Sequence, residues 1–201
     1  MFHCLGAPYS SVLLIYSSDV LVHRAVVTRF ATFLQRQCRC DVRYDAWAQK
    51  DIMRESPIDW LLRQIRSVHS IIVVNSEGGR KRYNASLDGV QYEKRTRDTP
   101  MADLFLPAMK EFRREIYHRR VHEFFHVYFP YSTISDVIDA NPSQSYEMMG
   151  HLEELFLLIH GLSKYSPEGM NSAEMINAER YAEFDEGKAL AAAIDKACKY
   201  F

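Results

Sequence analysis

The chain has 201 residues, 47% hydrophobic and 25% charged, an ordinary globular composition with enough length for one sizeable core. Lys plus Arg number 25 against 26 Asp plus Glu, and the resulting formal charge of −1 gives no global electrostatic case for nucleic acid or anionic lipid as a partner. No apolar run approaches the roughly 18 to 20 residues that span a bilayer, Met1–Ser11 does not read as a secretory leader, and Cys4, Cys38, Cys40 and Cys198 lack the spacing of a disulfide framework, so a reducing compartment is expected.

Val12–Tyr16 is a short apolar run ending in Ser17-Ser18-Asp19, which predicts a strand buried on both faces and a turn that caps the next helix. From Val20 to Gln37, the residues Val22, Val26, Phe30, Phe33 and Leu34 recur at spacings of three and four and predict an amphipathic helix. Cys40–Tyr44 reads as a second strand, and the cysteines around it read as core residues at a helix-to-strand junction. Ile58, Leu61, Leu62, Ile65 and Val68 mark a second helix, with Pro57 at its first turn and Trp60 on its buried side. Ser70–Asn75 is a central strand.

The stretch 76–100 breaks this rhythm, being polar and carrying Gly78-Gly79 and the basic cluster Arg80-Lys81-Arg82, and is read as a long loop. Helical periodicity resumes over Met101–Tyr117, followed by the aromatic, β-branched run Val121–Phe129, read as a fourth strand stopped by Pro130. Met148, Met149, Leu152, Leu155, Phe156 and Ile159 form one further helical stripe, and Leu190, Ala193, Ile194, Ala197, Cys198 and Phe201 another. Strands alternating with helices require crossovers and so predict a doubly wound α/β fold, a parallel sheet of four or five strands between helices. Residues 1–160 are expected to form its core, and 161–201 a helical extension packed on the same globular unit.

The run Val12–Asp19, followed by Phe30–Leu34, Asp59-Trp60 with Arg63-Gln64, and Ser70–Ser76, resembles in order and spacing the SEFIR domains of interleukin-17 receptors, relatives of Toll/interleukin-1 receptor domains. Asp103–Phe105, Tyr128-Phe129, Glu153-Glu154 and Gly187–Asp195 extend the resemblance to the long receptor form with its C-terminal extension. The resemblance implies a flavodoxin-like sheet and a non-enzymatic signalling domain without a cofactor. Its partners would be a SEFIR-containing adaptor and other receptor SEFIR domains, not nucleic acid or membrane. It implies recruitment of TRAF/NF-κB-type machinery, and a place on the cytoplasmic side of the plasma membrane as the intracellular part of a single-pass receptor. In that family the segment after the third strand and the next helix touch partners, which correspond to 76–100 and Met101–Tyr117.

Local charge supports a binding role. Residues 76–120 hold 11 Lys plus Arg and 7 Asp plus Glu, a net +4, whereas 136–186 hold 2 and 11, a net −9. Unlike faces of this kind steer encounter and orientation between domains. Arg80, Lys81, Arg82, Lys110, Arg113 and Arg114 are the candidate contact residues.

Two features of the sequence bear on enzymatic alternatives. His122-Glu123-Phe-Phe-His126 matches the H-E-x-x-H zinc motif, with a remote Glu147 or Glu153 as third ligand, but the chemistry requires a helix, where the two imidazoles lie one turn apart. As a strand the run puts His122 and His126 on one face and Glu123 on the other, so no metal or catalytic residue is assigned. Some Toll/interleukin-1 receptor-type domains cleave NAD with a Trp-Cys-x-x-Glu pattern, which neither Glu77 nor Glu93 reproduces.

Overall fold

Five short strands form the centre of the molecule because most of their side chains are apolar on both faces. In the computed structural model, which describes residues 10–90, 104–117, 123–138 and 145–201, these are β1 (Ser10–Tyr16), β2 (Cys40–Arg43), β3 (Ser70–Asn75), β4 (Glu123–Tyr128) and β5 (Ser145–Glu147). All pairings are parallel, in the order β2-β1-β3-β4-β5. Central β3 is buried at all six positions, with Ile72 beside Leu14 on one side and Phe125 on the other.

Strand alternation divides the core into two layers. Val12, Leu14, Tyr16, Ile72, Val74, Phe125 and Val127 pack against α1 (Leu21–Arg36), α6 (Leu152–Ile159) and α8 (Asp185–Cys198). Leu13, Ile15, Ile71 and Val73 pack against α3 (Pro57–Ser67) and α5 (Phe105–Tyr117) on the other face. The chain leaves β1 toward β2 but must cross back over β1 to reach β3, and right-handed crossovers therefore send the connecting helices to opposite faces.

Local chemistry sets the helix ends. Pro57 occupies the first turn of α3, where its missing N–H is harmless, and Ser56 Oγ accepts the Asp59 N–H at 3.3 Å. α8 seats on α1 through buried Leu190, Ile194 and Ala197. Ahead of it, Tyr181 meets the ring of Phe33 edge-on at 6.2 Å, and in its first turn Glu186 Oε2 accepts from Gln37 Nε2 at 2.5 Å. Cys38 and Cys40 are buried at the α1–β2 junction, and Trp60 is buried on α3.

The structure corrects the reading of 76–100 as a loop: Glu77–Leu87 is a helix, α4. Gly78 and Gly79 disfavour it intrinsically, but Ser76 caps it, its Oγ accepting the Gly79 N–H at 3.1 Å, and Arg82 and Tyr83 bury one side. Residues 91–100 lie outside the described residues. Among the described residues, β5, α2 (Gln49–Glu55) and α7 (Pro167–Met175) are short elements with no counterpart in the sequence reading.

His23 on α1 is fully buried, its Nδ1 2.9 Å from the Tyr131 hydroxyl. Burial lowers its pKa below the ordinary 6.5, while the charge of Asp19 opposes the shift. The unfolded state therefore binds more protons below about pH 6.5, so this contribution to stability is complete above that pH and is lost as the pH falls, by at most about 1.4 kcal/mol per unit. Chemical denaturation of His23→Gln between about pH 7.5 and 5 should give a shallower pH slope than the parent chain. Equal slopes would remove His23 as the cause.

Candidate functional site

In an open parallel sheet the crevice for a small ligand lies where neighbouring connections leave in opposite directions, here between the C-terminal ends of β1 and β3. Ser17–Asp19 from β1 and Ser76–Gly79 from β3 meet at that point. Ser76 Oγ donates to Asp19 Oδ2 at 2.6 Å, and a Cβ on Gly78 would come within 2.4 Å of the same oxygen. The Asp19 carboxylate thus lies against the first turn of α4, where an anion would be attracted. One turn on, buried Arg82 donates from Nη1 to Ser17 Oγ at 2.6 Å and sits 5.7 Å over the Phe105 ring. Asp19 and Ser76, and Ser17 and Arg82, thus hydrogen-bond to one another across the crevice.

Five of the six basic residues named from the sequence divide into three groups. Arg82, 6% exposed, is a core residue of the crevice and is not presented to a partner, a correction that follows from helix periodicity, which turns position 82 inward. Arg80 donates from Nε to Asp136 Oδ1 at 3.1 Å. Asp136 is itself buried and accepts the Thr133 N–H at 2.9 Å in a capping box, so Arg80 clamps α4 to the segment after β4. Lys81, Lys110 and Arg113 face solvent, Lys81 pairing with Glu77 at 2.5 Å one turn away. The side chain of Arg114 lies outside the described residues.

Lys110 and Arg113 border a groove of about 930 Å³ between α3, α4 and α5. Its walls are apolar, from Leu61 and Leu62 on α3, Tyr83 and Leu87 on α4, and Leu106 on α5. The sequence carries a signal for two walls, since Leu61 and Leu62 fall on the stripe assigned to α3 and Lys110 and Arg113 on the helix expected over Met101–Tyr117, whereas Leu87 lies in the segment read as a loop.

Among the described residues, no group of three or more His, Cys, Asp and Glu side chains comes together in a way that could hold a metal ion. Glu123 and His126 lie on the extended β4, Glu123 exposed and His126 buried beside the ring of Phe112, so the helical turn required of the zinc motif does not form there. His122 lies outside the described residues, as does Glu93. Glu77 is engaged by Lys81, and Glu153 is engaged by Lys164 at 3.0 Å. Asn75, at the end of β3, serves the fold: its Nδ2 donates to the Val73 and Val127 carbonyls at 3.1 and 3.2 Å, and its Oδ1 accepts the Ile138 N–H at 3.2 Å. Among the described residues no helix is long and apolar enough to cross a membrane.

Known proteins agree with this architecture. The chain is 28% identical over 194 residues to interleukin-17 receptor D of Gallus gallus, covering 93% of this chain and 26% of that protein. Against interleukin-17 receptor D of Danio rerio the identity is 32% over 172 residues, covering 76% and 23%. Against interleukin-17 receptor A of Homo sapiens it is 29% over 196 residues, covering 92% and 22%. The chain thus spans about a quarter of the length of the receptors it matches. The crystal structure of the interleukin-17 receptor B SEFIR domain superposes with a TM-score of 0.53 at 20% identity, over 77% of this chain and 96% of that one, a likeness of fold. The SEFIR domain family profile matches residues 10–158, from β1 to the last turn of α6, and the chain belongs to that family.

Proposed function

We propose that the chain is the intracellular signalling module of an interleukin-17 receptor-like protein. It recruits a SEFIR-containing adaptor through homotypic contact and so starts TRAF/NF-κB-type signalling from the cytoplasmic side of the plasma membrane. Residues 1–160 are the module proper, and 161–201 a helical extension of the same unit. The observation that carries this reading is the SEFIR match over 10–158. Two features of the chain support a binding role over catalysis: the switch-point crevice is crossed by hydrogen bonds of Asp19 and Arg82, and the exposed cations Lys110 and Arg113 border an apolar groove.

Such a surface works by division of labour: buried apolar anchors supply affinity, and rim charges set encounter rate and orientation. Weak contacts suffice, because receptor clustering raises the local concentration of domains and turns low affinity into avidity.

The test is capture of a SEFIR-containing adaptor from cytosol by the immobilised chain, identified by mass spectrometry. The triple substitution Lys81→Glu/Lys110→Glu/Arg113→Glu should weaken capture by about tenfold or more, while exposed positions leave the melting temperature within about 2 °C of the parent. Undiminished capture would remove these residues from the contact.

A further inference from the structure

We propose that this chain binds a second copy of itself head to tail, the α3–α4–α5 groove of one copy receiving the α6–α7 edge of the next. The inference rests on the interaction-module reading above. It names which partner the groove takes and which surface of that partner enters it.

The groove requires an apolar occupant and favours an acidic one. Ile58 and Leu87 at its mouth are exposed, and Lys110 and Arg113 against Glu111 leave the α5 rim net positive. The opposite layer of the same molecule presents the complement. Between α6 and α7 stands Tyr165, 91% exposed, with Leu158 on α6 and Met170 on α7 also open to solvent. Glu154 precedes Leu158 by one helical turn, and Glu174 follows Met170 by one, so each apolar residue shares its helix face with a carboxylate. Exposed Glu168 lies in the first turn of α7, and Lys164, the basic residue of this stretch, already pairs with Glu153.

Tyrosine suits such a contact because it buries a large ring at the cost of few rotatable bonds. α3 and α5 belong to one face of the sheet and α6 to the other, so a copy that seats its groove on a neighbour's edge turns its own edge away from that neighbour. The contact is therefore heterologous. Each pairing leaves one groove and one edge open, and further copies add to a string, the geometry a clustered receptor would use to multiply weak contacts.

Sedimentation of the whole chain over a range of concentration and salt tests this. The parent should self-associate, less so at high salt. Lys110→Glu/Arg113→Glu and Glu168→Lys/Glu174→Lys should each weaken association by about tenfold, and Tyr165→Ala by a similar factor. Mixing the two charge-reversed chains should restore assembly to within about threefold, since each groove then meets an edge of opposite sign. A chain that stays monomeric up to about 1 mM, an edge reversal without effect, as groove-to-groove pairing would give, or a mixture that fails to recover overturns the proposal. Adaptor capture is measured in parallel: if it persists without self-association, only the head-to-tail contact falls, and if both are absent, the interaction-module reading falls too.

Discussion

Arg82→Glu is expected to lower the melting temperature by about 10 °C, whereas Lys81→Glu one position earlier leaves it unchanged. Neighbours in a basic cluster would respond alike if all three faced a partner. They differ because Arg82 is 6% exposed and spends its guanidinium on Ser17 Oγ at 2.6 Å and the Phe105 ring at 5.7 Å. Removing a charge-assisted hydrogen bond costs about 1.5 to 3 kcal/mol, and a buried carboxylate in its place adds the penalty of an unpaired charge, for a total of about 4 kcal/mol. Thermal melting of the two variants decides it. Equal melting temperatures would return Arg82 to the surface set. A reversal of the whole Arg80-Lys81-Arg82 cluster would confuse unfolding with lost contact, since Arg80 is also tied to Asp136.

The second large effect concerns the extension. A Cβ on Gly187 would lie 1.7 Å from the Tyr181 carbonyl oxygen and 2.6 Å from its carbon. Both atoms are backbone, so Gly187→Ala must push the Tyr181–Glu183 turn away from α8, and Tyr181 with it from Phe33. Such overpacking costs about 3 kcal/mol, or about 6 to 12 °C for a chain of this size. Gly150→Ala is the internal control, because its added Cβ would meet the Glu147 carbonyl at an ordinary 3.7 Å. Limited proteolysis should cut Gly187→Ala around 181–201 sooner than either the parent or Gly150→Ala. Similar rates for all three would mean that α8 is not held by this close approach.

The elements legible in the sequence are those whose own residues pay no penalty for the structure they adopt. Leu13, Leu14 and Ile15 suit a strand covered on both faces, and Val22, Val26, Phe30 and Phe33 recur at helical spacing, so β1 and α1 emerge within a residue or two of their predicted bounds. β4 was read as a strand through the H-E-x-x-H match, because aromatic and β-branched content outweighed a four-residue motif. The elements that escaped are short or intrinsically weak. β5 has three residues and is defined by its pairing with β4, and the Gly-Gly start of α4 disguised it as loop.

The sequence by itself determined the alternation of strand and helix, the family, and the unlike charge of two regions of the chain. The alternation and the charge are carried by composition and periodicity along local stretches, and the family by the resemblance of motifs such as Val12–Asp19 and Ser70–Ser76 in their order and spacing. Only the tertiary structure decided which charges are available. Arg82 turns inward to Ser17, across 65 residues of chain, and Arg80 reaches Asp136 across 56. Lys110 and Arg113 come to border a groove whose other walls lie on α3 and α4. Exposure and partnership are properties of packing between distant segments. A local run of lysine and arginine, identical in sequence character, is therefore divided by the fold into core, clamp and surface.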